Sequence, residues 1–187
     1  DNSFVPRQRF ISKPAETLID MQELQDMSGP FSELCQMCRE PAHKIRQSRE
    51  PLVVSHVDAD GLTSAAIICA ALERAGMEYE ALFFRQLDEA ALDQIADSNP
   101  DMVIFTDLGS GMIQPICDHG LAAVVVDHHK PAPYQARSIA HINPHLVGAD
   151  GALHLSGSGT SFLLARALAG SPAGNDDLAA LAVVGAV

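Results

Sequence analysis

Short apolar runs alternate with amphipathic segments from residue 51 onward. The runs are rich in Val, Ile, Leu and Phe and are bounded by turn residues, a pattern that predicts buried strands. The five predicted strands are residues 52–57, 79–84, 102–106, 121–126 and 139–142. The helices predicted between and after them are residues 61–75, 88–98, 112–119, 160–169 and 176–187. Strands that alternate with helices of this length predict an α/β fold with a doubly wound, mainly parallel sheet.

The first 50 residues have a different pattern, in which helical periodicity replaces the strand-like runs. The helices predicted there are residues 14–27, 31–39 and 41–47. Gly29-Pro30 interrupts the periodicity between the first two of them. We therefore expect an N-terminal helical segment over residues 1–50 and an α/β domain over residues 51–187.

The composition indicates the class and the compartment of the protein. Hydrophobic residues make up 47% of the 187 residues, which is enough to build a core. The sequence has no run of 18 apolar residues, so we expect no transmembrane helix and no membrane association. Four cysteines are too few for a disulfide scaffold, and this favours a reducing, cytoplasmic location.

The charge distribution limits how the protein could bind a nucleic acid. The chain has 12 Lys and Arg residues against 24 Asp and Glu residues, a formal net charge of −12. Residues 51–187 account for five of the basic and sixteen of the acidic residues. A domain that binds nucleic acid through its own cations is basic, so this class is excluded. An acidic domain can still bind phosphate groups if its carboxylates hold divalent metal ions.

Acidic and histidine residues follow three of the predicted strands. Asp58 and Asp60 come after the first strand, Asp107 after the third, and residues 127–129 (Asp-His-His) after the fourth. The carboxyl ends of parallel strands meet at one edge of a sheet, where ligands bind. Carboxylate and imidazole ligands without thiolate suit Mn²⁺ or Mg²⁺, with Zn²⁺ or Co²⁺ as alternatives. The structural alternative is that Asp58 and Asp60 only cap the next helix.

These residues belong to three ordered motifs. The motifs are Ser55-His56-Val57-Asp58-Ala59-Asp60-Gly61, Thr106-Asp107-Leu108-Gly109 and Val126-Asp127-His128-His129. They resemble motifs one to three of the DHH phosphoesterase superfamily. The stretch around Asn143-Pro144 and the later residues 156–160 are similar to the region after the DHH motif in RecJ-type single-strand nucleases. The Asp-Ala-Asp-Gly form of the first motif most resembles archaeal RecJ-like proteins, including the GINS-associated nuclease.

The resemblance implies a metal-binding role for five residues that match the motifs. Asp58 and Asp60 would each hold one of two metal ions, and Asp107 would bridge the pair. His128 would be a further ligand, and His56 is an additional candidate. Two cations about 3.5–4 Å apart could activate a water molecule and stabilise phosphoryl oxygens in an in-line displacement.

The resemblance also implies catalytic and substrate-binding roles. His129 would face the substrate phosphate, and Asp127 would orient a histidine. The candidate substrate-binding residues are Asn143, Ser156, Gly157 and Gly159. A turn role for Asn143 and an ordinary helix start at residues 156–159 are the structural alternatives.

The function that the resemblance implies is that of a metal-dependent phosphodiesterase, a single-stranded DNA or RNA exonuclease acting in DNA replication or repair. It would use two divalent cations, with Mn²⁺ the first choice. The alternatives are a nanoRNase, a cyclic-dinucleotide phosphodiesterase and a non-catalytic replisome scaffold. The implied partners are single-stranded nucleic acid and a replisome component such as GINS.

The resemblance further implies that the chain is C-terminally incomplete. Members of the family carry a fourth-motif Asp after a helix that residues 181–187 resemble, followed by a second, substrate-binding domain. We therefore expect the isolated chain to bind metal weakly and to have feeble activity.

Overall fold

Five parallel strands form the central sheet of the protein, in a computed structural model that describes residues 29–169 and 174–186. The strands are β1 (Leu52–His56), β2 (Glu80–Phe84), β3 (Val103–Thr106), β4 (Ala123–Val126) and β5 (Ala140–Ile142). Their order across the sheet is β2-β1-β3-β4-β5, and every neighbouring pair is parallel. The predicted α/β class and the parallel sheet are therefore confirmed.

Helices precede, connect and follow the strands. They are α1 (Pro30–Met37), α2 (Arg39–Gln47), α3 (Ala59–Arg74), α4 (Glu89–Asp97), α5 (Ile113–Asp118), α6 (Gly157–Leu168) and α7 (Ala179–Gly185). Two 3₁₀ turns, Pro144–Val147 and Asp176–Leu178, lie in the last third of the chain. The helix predicted over residues 14–27 lies outside the described residues.

Two helices begin before their predicted starts because side chains cap them. Helix α3 begins at Ala59, since the carboxylate of Asp58 accepts a hydrogen bond from the Gly61 amide at 2.9 Å. Helix α6 begins three residues before the predicted start, at Gly157, because the hydroxyl of Ser156 accepts from the Gly159 amide. The predicted final helix is divided into a 3₁₀ turn and α7.

Two apolar clusters cover the two faces of the sheet. Residues of α1, α2, α3 and α6 pack on one face, against Val53, Ile104 and Val124. Residues of α4 and α5 pack on the other face, against Val54 and Phe105. Alternate residues of β1 and β3 therefore point to opposite cores, and the sheet is doubly wound as predicted.

The strand order places a topological switch point between β1 and β3. From β1 the chain crosses through α3 to β2 on one side, whereas β3 lies on the other side and leads to β4. The register aligns Ser55 with Thr106, and Thr106 with Val126, so the three central strands end together. The residues that follow them therefore share one crevice, the usual ligand site of such a sheet.

No helix within the described parts of the chain is long and apolar enough to cross a bilayer.

We predict that Gly61→Ala destabilises the protein and that Gly111→Ala does not. A Cβ at position 61 would overlap the carbonyl group and Cβ of His56, whereas a Cβ at position 111 meets no atom within 4 Å. Overpacking against a strand end should lower the free energy of unfolding by about 3 kcal/mol. The Gly111 variant should stay within about 0.5 kcal/mol of the wild type. Urea denaturation of both variants is the measurement, and equal stabilities would contradict the prediction.

Candidate metal centre

The end of β1 contributes a histidine and a carboxylate that face each other. His56 Nδ1 lies 2.8 Å from Asp58 Oδ2, and His56 Nε2 lies 3.0 Å from the carbonyl oxygen of Arg85. A carbonyl oxygen only accepts, so Nε2 carries the proton and donates it. Nδ1 is therefore the ring nitrogen that faces the carboxylate of Asp58. A nitrogen and an oxygen this close together can serve as ligands of one cation.

Two contacts fix the carboxylate of Asp58 at the start of α3. One oxygen of its carboxylate accepts from the Gly61 amide, and the other faces His56. Burial alone would raise the pKa of Asp58, but the Gly61 amide and His56 outweigh it and hold the pKa below its ordinary value. Asp58 therefore caps its helix, as the structural alternative required, and still presents an oxygen to the crevice.

The end of β3 contributes Asp107, a buried carboxylate in an unusual backbone conformation. Its φ of 56° lies in the left-handed region, and only 2% of the residue is exposed. Its Oδ1 atom is buried and accepts no hydrogen bond from the described residues. Burial raises the pKa of Asp107, against the lowering effect of His128. The nearest donor, His128 Nε2, lies 3.3 Å from Oδ1 without forming a hydrogen bond of good geometry, and a metal ion could complete the surroundings of this buried oxygen.

The end of β4 contributes Asp127, which is just as buried but fully hydrogen-bonded. Its Oδ1 accepts from the amides of His128 and His129 and from His129 Nδ1, at 2.7–3.1 Å. Its Oδ2 accepts from the Ser110 amide at 2.9 Å. Burial alone would raise the pKa of Asp127, but these bonds, above all that from His129, lower it to about 2. The backbone of the Asp-His-His segment therefore wraps around the Asp127 carboxylate, and these hydrogen bonds orient both histidines.

The two histidines present different atoms to the crevice. His128 Nδ1 lies 2.8 Å from the carbonyl oxygen of Gly151, so Nδ1 carries a proton and Nε2 points at the carboxylates. His128 Nε2 lies 3.3 Å from Asp107 Oδ1 and 3.5 Å from Asp60 Oδ2. These contacts, first that with Asp107, raise the pKa of His128 to about 9. His129, whose side chain is 61% exposed, borders the open side.

The structure brings these side chains together in two groups that share Asp107. In one group are His56, Asp58 and Asp107, and in the other are Asp107, His128 and His129. The potential ligand atoms within each group all lie within 4.8 Å of one another. The orphaned Asp107 oxygen and the nitrogen and oxygen donors fit hard or intermediate divalent cations. The sequence-based expectation that strand ends from β1, β3 and β4 converge is met.

Asp60 was expected to be a metal ligand, but hydrogen bonds within the protein already occupy both oxygens of its carboxylate. Its two carboxylate oxygens accept from the amides of Gly157 and Ser158, each at 2.8 Å. These are the first amides of α6, so Asp60 neutralises the positive end of that helix. Its Oδ2 also faces His128 Nε2, at the margin of the second ligand group.

The predicted substrate-binding residues are engaged within the protein. The Gly157 amide bonds Asp60, and the Gly159 amide bonds the Ser156 hydroxyl. Asn143 is fully buried at the end of β5 and bonds three other residues. A phosphate at α6 would have to compete with these contacts, and the predicted substrate roles stay predictions.

Two residues that hold the site were not identified from the sequence. Ser110 supports Asp127 through its amide, and Gly151 fixes the His128 ring through its carbonyl oxygen. A Cβ at position 151 would overlap the His128 carbonyl group, which explains the need for glycine there. Backbone partners such as these leave no side-chain signal in a sequence. The only sequence signal for Ser110 was its position just after the second motif.

A family model for the DHH family, N-terminal domain, matches residues 51–186. The chain belongs to the DHH family. The match includes all the site residues described above, from His56 to Gly159. The sequence of the DHH motif itself is Asp127-His128-His129, the segment organised by the buried carboxylate.

Related proteins share this domain but are longer. An uncharacterized protein of Methanocaldococcus jannaschii is 33% identical over 72% of this chain and 32% of its own length. The single-stranded-DNA-specific exonuclease RecJ of Dickeya dadantii is 30% identical over 66% of this chain and 23% of its own. The chain thus spans about a third or less of the curated relatives that it matches.

Solved structures share the fold. RecJ of Thermus thermophilus in complex with Mn²⁺ superposes with a TM-score of 0.66 and 25% identity, over 81% of this chain and 23% of that protein. A second crystal structure of that RecJ contains Mg²⁺. Relatives of this DHH domain thus bind the cations that the donor set of the candidate site favours.

We predict that the metal-free protein loses stability as the pH rises from about 6.5 to 9, through His128. Its folded pKa of about 9 lies above the ordinary value of 6.5, so its stabilising contribution is complete below pH 6.5 and is lost by pH 9. Because the ring is partly exposed, we expect about 2 kcal/mol rather than the full shift. Denaturation in EDTA at pH 6.5 and 9.5 should show this loss in the wild type, and His128→Gln should show a smaller one, because the raised pKa of His129 remains.

Proposed function

We propose that this DHH domain is the catalytic part of a metal-dependent phosphodiesterase that hydrolyses single-stranded DNA or RNA from an end. The observation that carries the proposal is the pair of ligand groups that share Asp107. A carboxylate shared by two neighbouring sites can hold two cations close together, as two-metal hydrolysis of phosphate esters needs. The names of the RecJ relatives supply the single-stranded substrate class.

The residues divide into ligands and residues that serve the substrate. His56 and Asp58 would hold one cation, His128 would hold the other, and Asp107 would bridge them. Asp60 would join the second site through Oδ2. The two cations, Mn²⁺ first and Mg²⁺ next, would supply an activated water molecule and neutralise the charge of the phosphoryl oxygens.

His129 is the side chain with which the protein itself would touch the scissile phosphate. Its Nδ1 lies 2.8 Å from Asp127 Oδ1, and this contact raises the pKa of His129 above its ordinary value. With Nδ1 directed at Asp127, a ring that is protonated at both nitrogens would offer Nε2 as a donor toward the open side, where a phosphate oxygen would accept. A cleft of about 240 Å³ beside it, lined by His56, Asp107 and Asp127 among others, would admit the phosphate group.

The charge of the domain explains why metal ions are needed for this substrate. Few basic residues stand among the sixteen acidic residues of 51–187, so phosphate contacts from Lys and Arg are scarce. A scaffold without catalysis would gain nothing from two groups of carboxylates and histidines that crowd around one buried carboxylate. The position of Asp107 in both groups therefore favours the enzyme over the scaffold. The replisome partner, such as GINS, belongs to the same proposal.

We predict that Asp107→Asn removes metal binding and leaves the fold intact. Asn has the same shape and tolerates the φ of 56°, and the loss of a buried charge offsets the loss of its contact with His128. The free energy of unfolding in EDTA should change by less than about 1 kcal/mol. Mn²⁺ affinity by calorimetry should fall at least about tenfold. Asp97→Asn, an exposed change at the end of α4, is the control and should bind Mn²⁺ normally.

The activity is tested with end-labelled single-stranded DNA and RNA of equal sequence and the full-length protein in Mn²⁺. Stepwise release of nucleotides from one end is the expected result, and the label reports the polarity. EDTA and Asp107→Asn should both abolish it, whereas Asp97→Asn should not. Cleavage of dinucleotides alone would identify a small-nucleotide phosphodiesterase, and no cleavage of any substrate despite tight Mn²⁺ binding would contradict the proposal.

A further inference from the structure

A chain of polar side chains runs beneath the Asp127–His129 segment, away from the crevice. It leads from Asn143 through Ser110 and His141 to Tyr134 at the surface. Asn143 and Ser110 are fully buried, and His141, in β5, is 8% exposed. None of the metal-site contacts described above explains why a histidine should lie in this buried strand.

The donor and acceptor of each hydrogen bond in this chain can be worked out from Asn143. Two backbone groups fix the orientation of its side-chain amide. Its Oδ1 accepts from the His145 amide at 2.9 Å, and its Nδ2 donates to the His129 carbonyl oxygen at 2.9 Å. An amide turned the other way would oppose both backbone partners. The second proton of Nδ2 is therefore the one donated to Ser110 Oγ, at 2.8 Å.

The remaining protons follow from this start. Ser110 Oγ accepts from Asn143, and its only other side-chain contact within the described residues is His141 Nε2, 2.9 Å away, so its proton is donated there. Burial lowers the pKa of His141 to about 4, against the opposite effect of Asp127, so the ring is neutral. A neutral ring that accepts at Nε2 carries its proton at Nδ1, which donates to the Tyr134 oxygen at 3.1 Å. Tyr134 is partly exposed and forms the outer end of this chain.

We propose that His141 is a positioning residue, which locks Ser110 through Nε2 so that Ser110 and Asn143 hold the Asp127–His129 segment in its metal-binding geometry. Ser110 touches this region at three points. Its amide donates to Asp127 Oδ2, its carbonyl oxygen accepts from the Ala132 amide, and its hydroxyl accepts from Asn143. Asn143 in turn holds the His129 carbonyl oxygen.

The two ring nitrogens of His141 differ in their importance for the metal site. The contact of Nε2 with Ser110 is directed at the metal site, whereas that of Nδ1 with Tyr134 is directed at the surface. A glutamine side chain reaches the position of Nε2, where its oxygen can accept from Ser110. An asparagine side chain reaches only the position of Nδ1, and it leaves the Ser110 hydroxyl without an acceptor. The two variants therefore separate the two contacts in the same buried setting.

The experiment compares His141→Gln with His141→Asn, because the effect on metal binding rests on the proposed function and needs a second, metal-free readout. In EDTA, amide hydrogen exchange at His128 and His129 should rise at least about tenfold in the Asn variant and less than about threefold in the Gln variant. Mn²⁺ affinity should fall about 10–100-fold in the Asn variant only, the range known for residues behind metal ligands. Tyr134→Phe should resemble its matched control, Tyr79→Phe, in both readouts.

The outcomes separate failure of this inference from failure of the proposed function. Equal exchange and equal affinity in the Gln and Asn variants would overturn the positioning role, as would a proton on Nε2 of His141 by nitrogen NMR. Faster exchange in the Asn variant with unchanged Mn²⁺ affinity would overturn it too, since the chain would then only stabilise the fold. A wild type that binds no Mn²⁺ would overturn the proposed function, and exchange would still decide whether His141 holds the segment.

Discussion

Everything at the candidate site depends on the burial of negative charge at the ends of parallel strands. The sheet brings Asp107 and Asp127 beside each other with almost no exposure to water. An isolated carboxylate would lose several kcal/mol in such a place or would take up a proton. Hydrogen bonds within the protein satisfy the carboxylate of Asp127, whereas one oxygen of Asp107 accepts none from the described residues. Asp127 therefore has a structural role, and Asp107 is the candidate metal ligand.

Asp127 is the supporting member of the pair. Three backbone amides and one imidazole converge on its carboxylate, and together they hold its pKa near 2 in spite of burial. This arrangement curls the chain after β4 so that His128 and His129 leave the strand in fixed directions. The backbone bonds of Asn143 and the relay through Ser110 and His141 secure the same segment from below.

Asp107 is the member left incomplete, and the left-handed backbone at this residue aims it into the crevice. Without a cation, its nearest positive partner is His128, which the contact keeps protonated at neutral pH. A divalent cation would take the place of that proton and would bring more positive charge to the buried carboxylates than the proton does. Asp60 adds a mechanical link, because its carboxylate ties the start of α3 to the start of α6. The site is thereby connected to the last helices of the described chain.

The local pattern of the sequence was sufficient to predict the strands, the doubly wound sheet and the Asp and His residues at its edge. Strand runs such as residues 121–126 are purely apolar because both faces of the sheet are covered, and the sequence pattern shows this directly. The motifs around Asp58, Asp107 and His128 likewise follow strand ends, so the topology of parallel sheets alone predicts that they meet.

The tertiary structure alone decided which atoms each residue uses. The sequence could not show that both oxygens of Asp60 bond the amides of α6, that Gly151 orients His128, or that His141 in β5 accepts from Ser110. Each of these contacts joins residues that are 23 to 98 positions apart or uses a backbone group that every residue possesses. Local sequence fixes which side chains reach the crevice, but the packing of distant segments fixes their hydrogen-bond partners and therefore their charge.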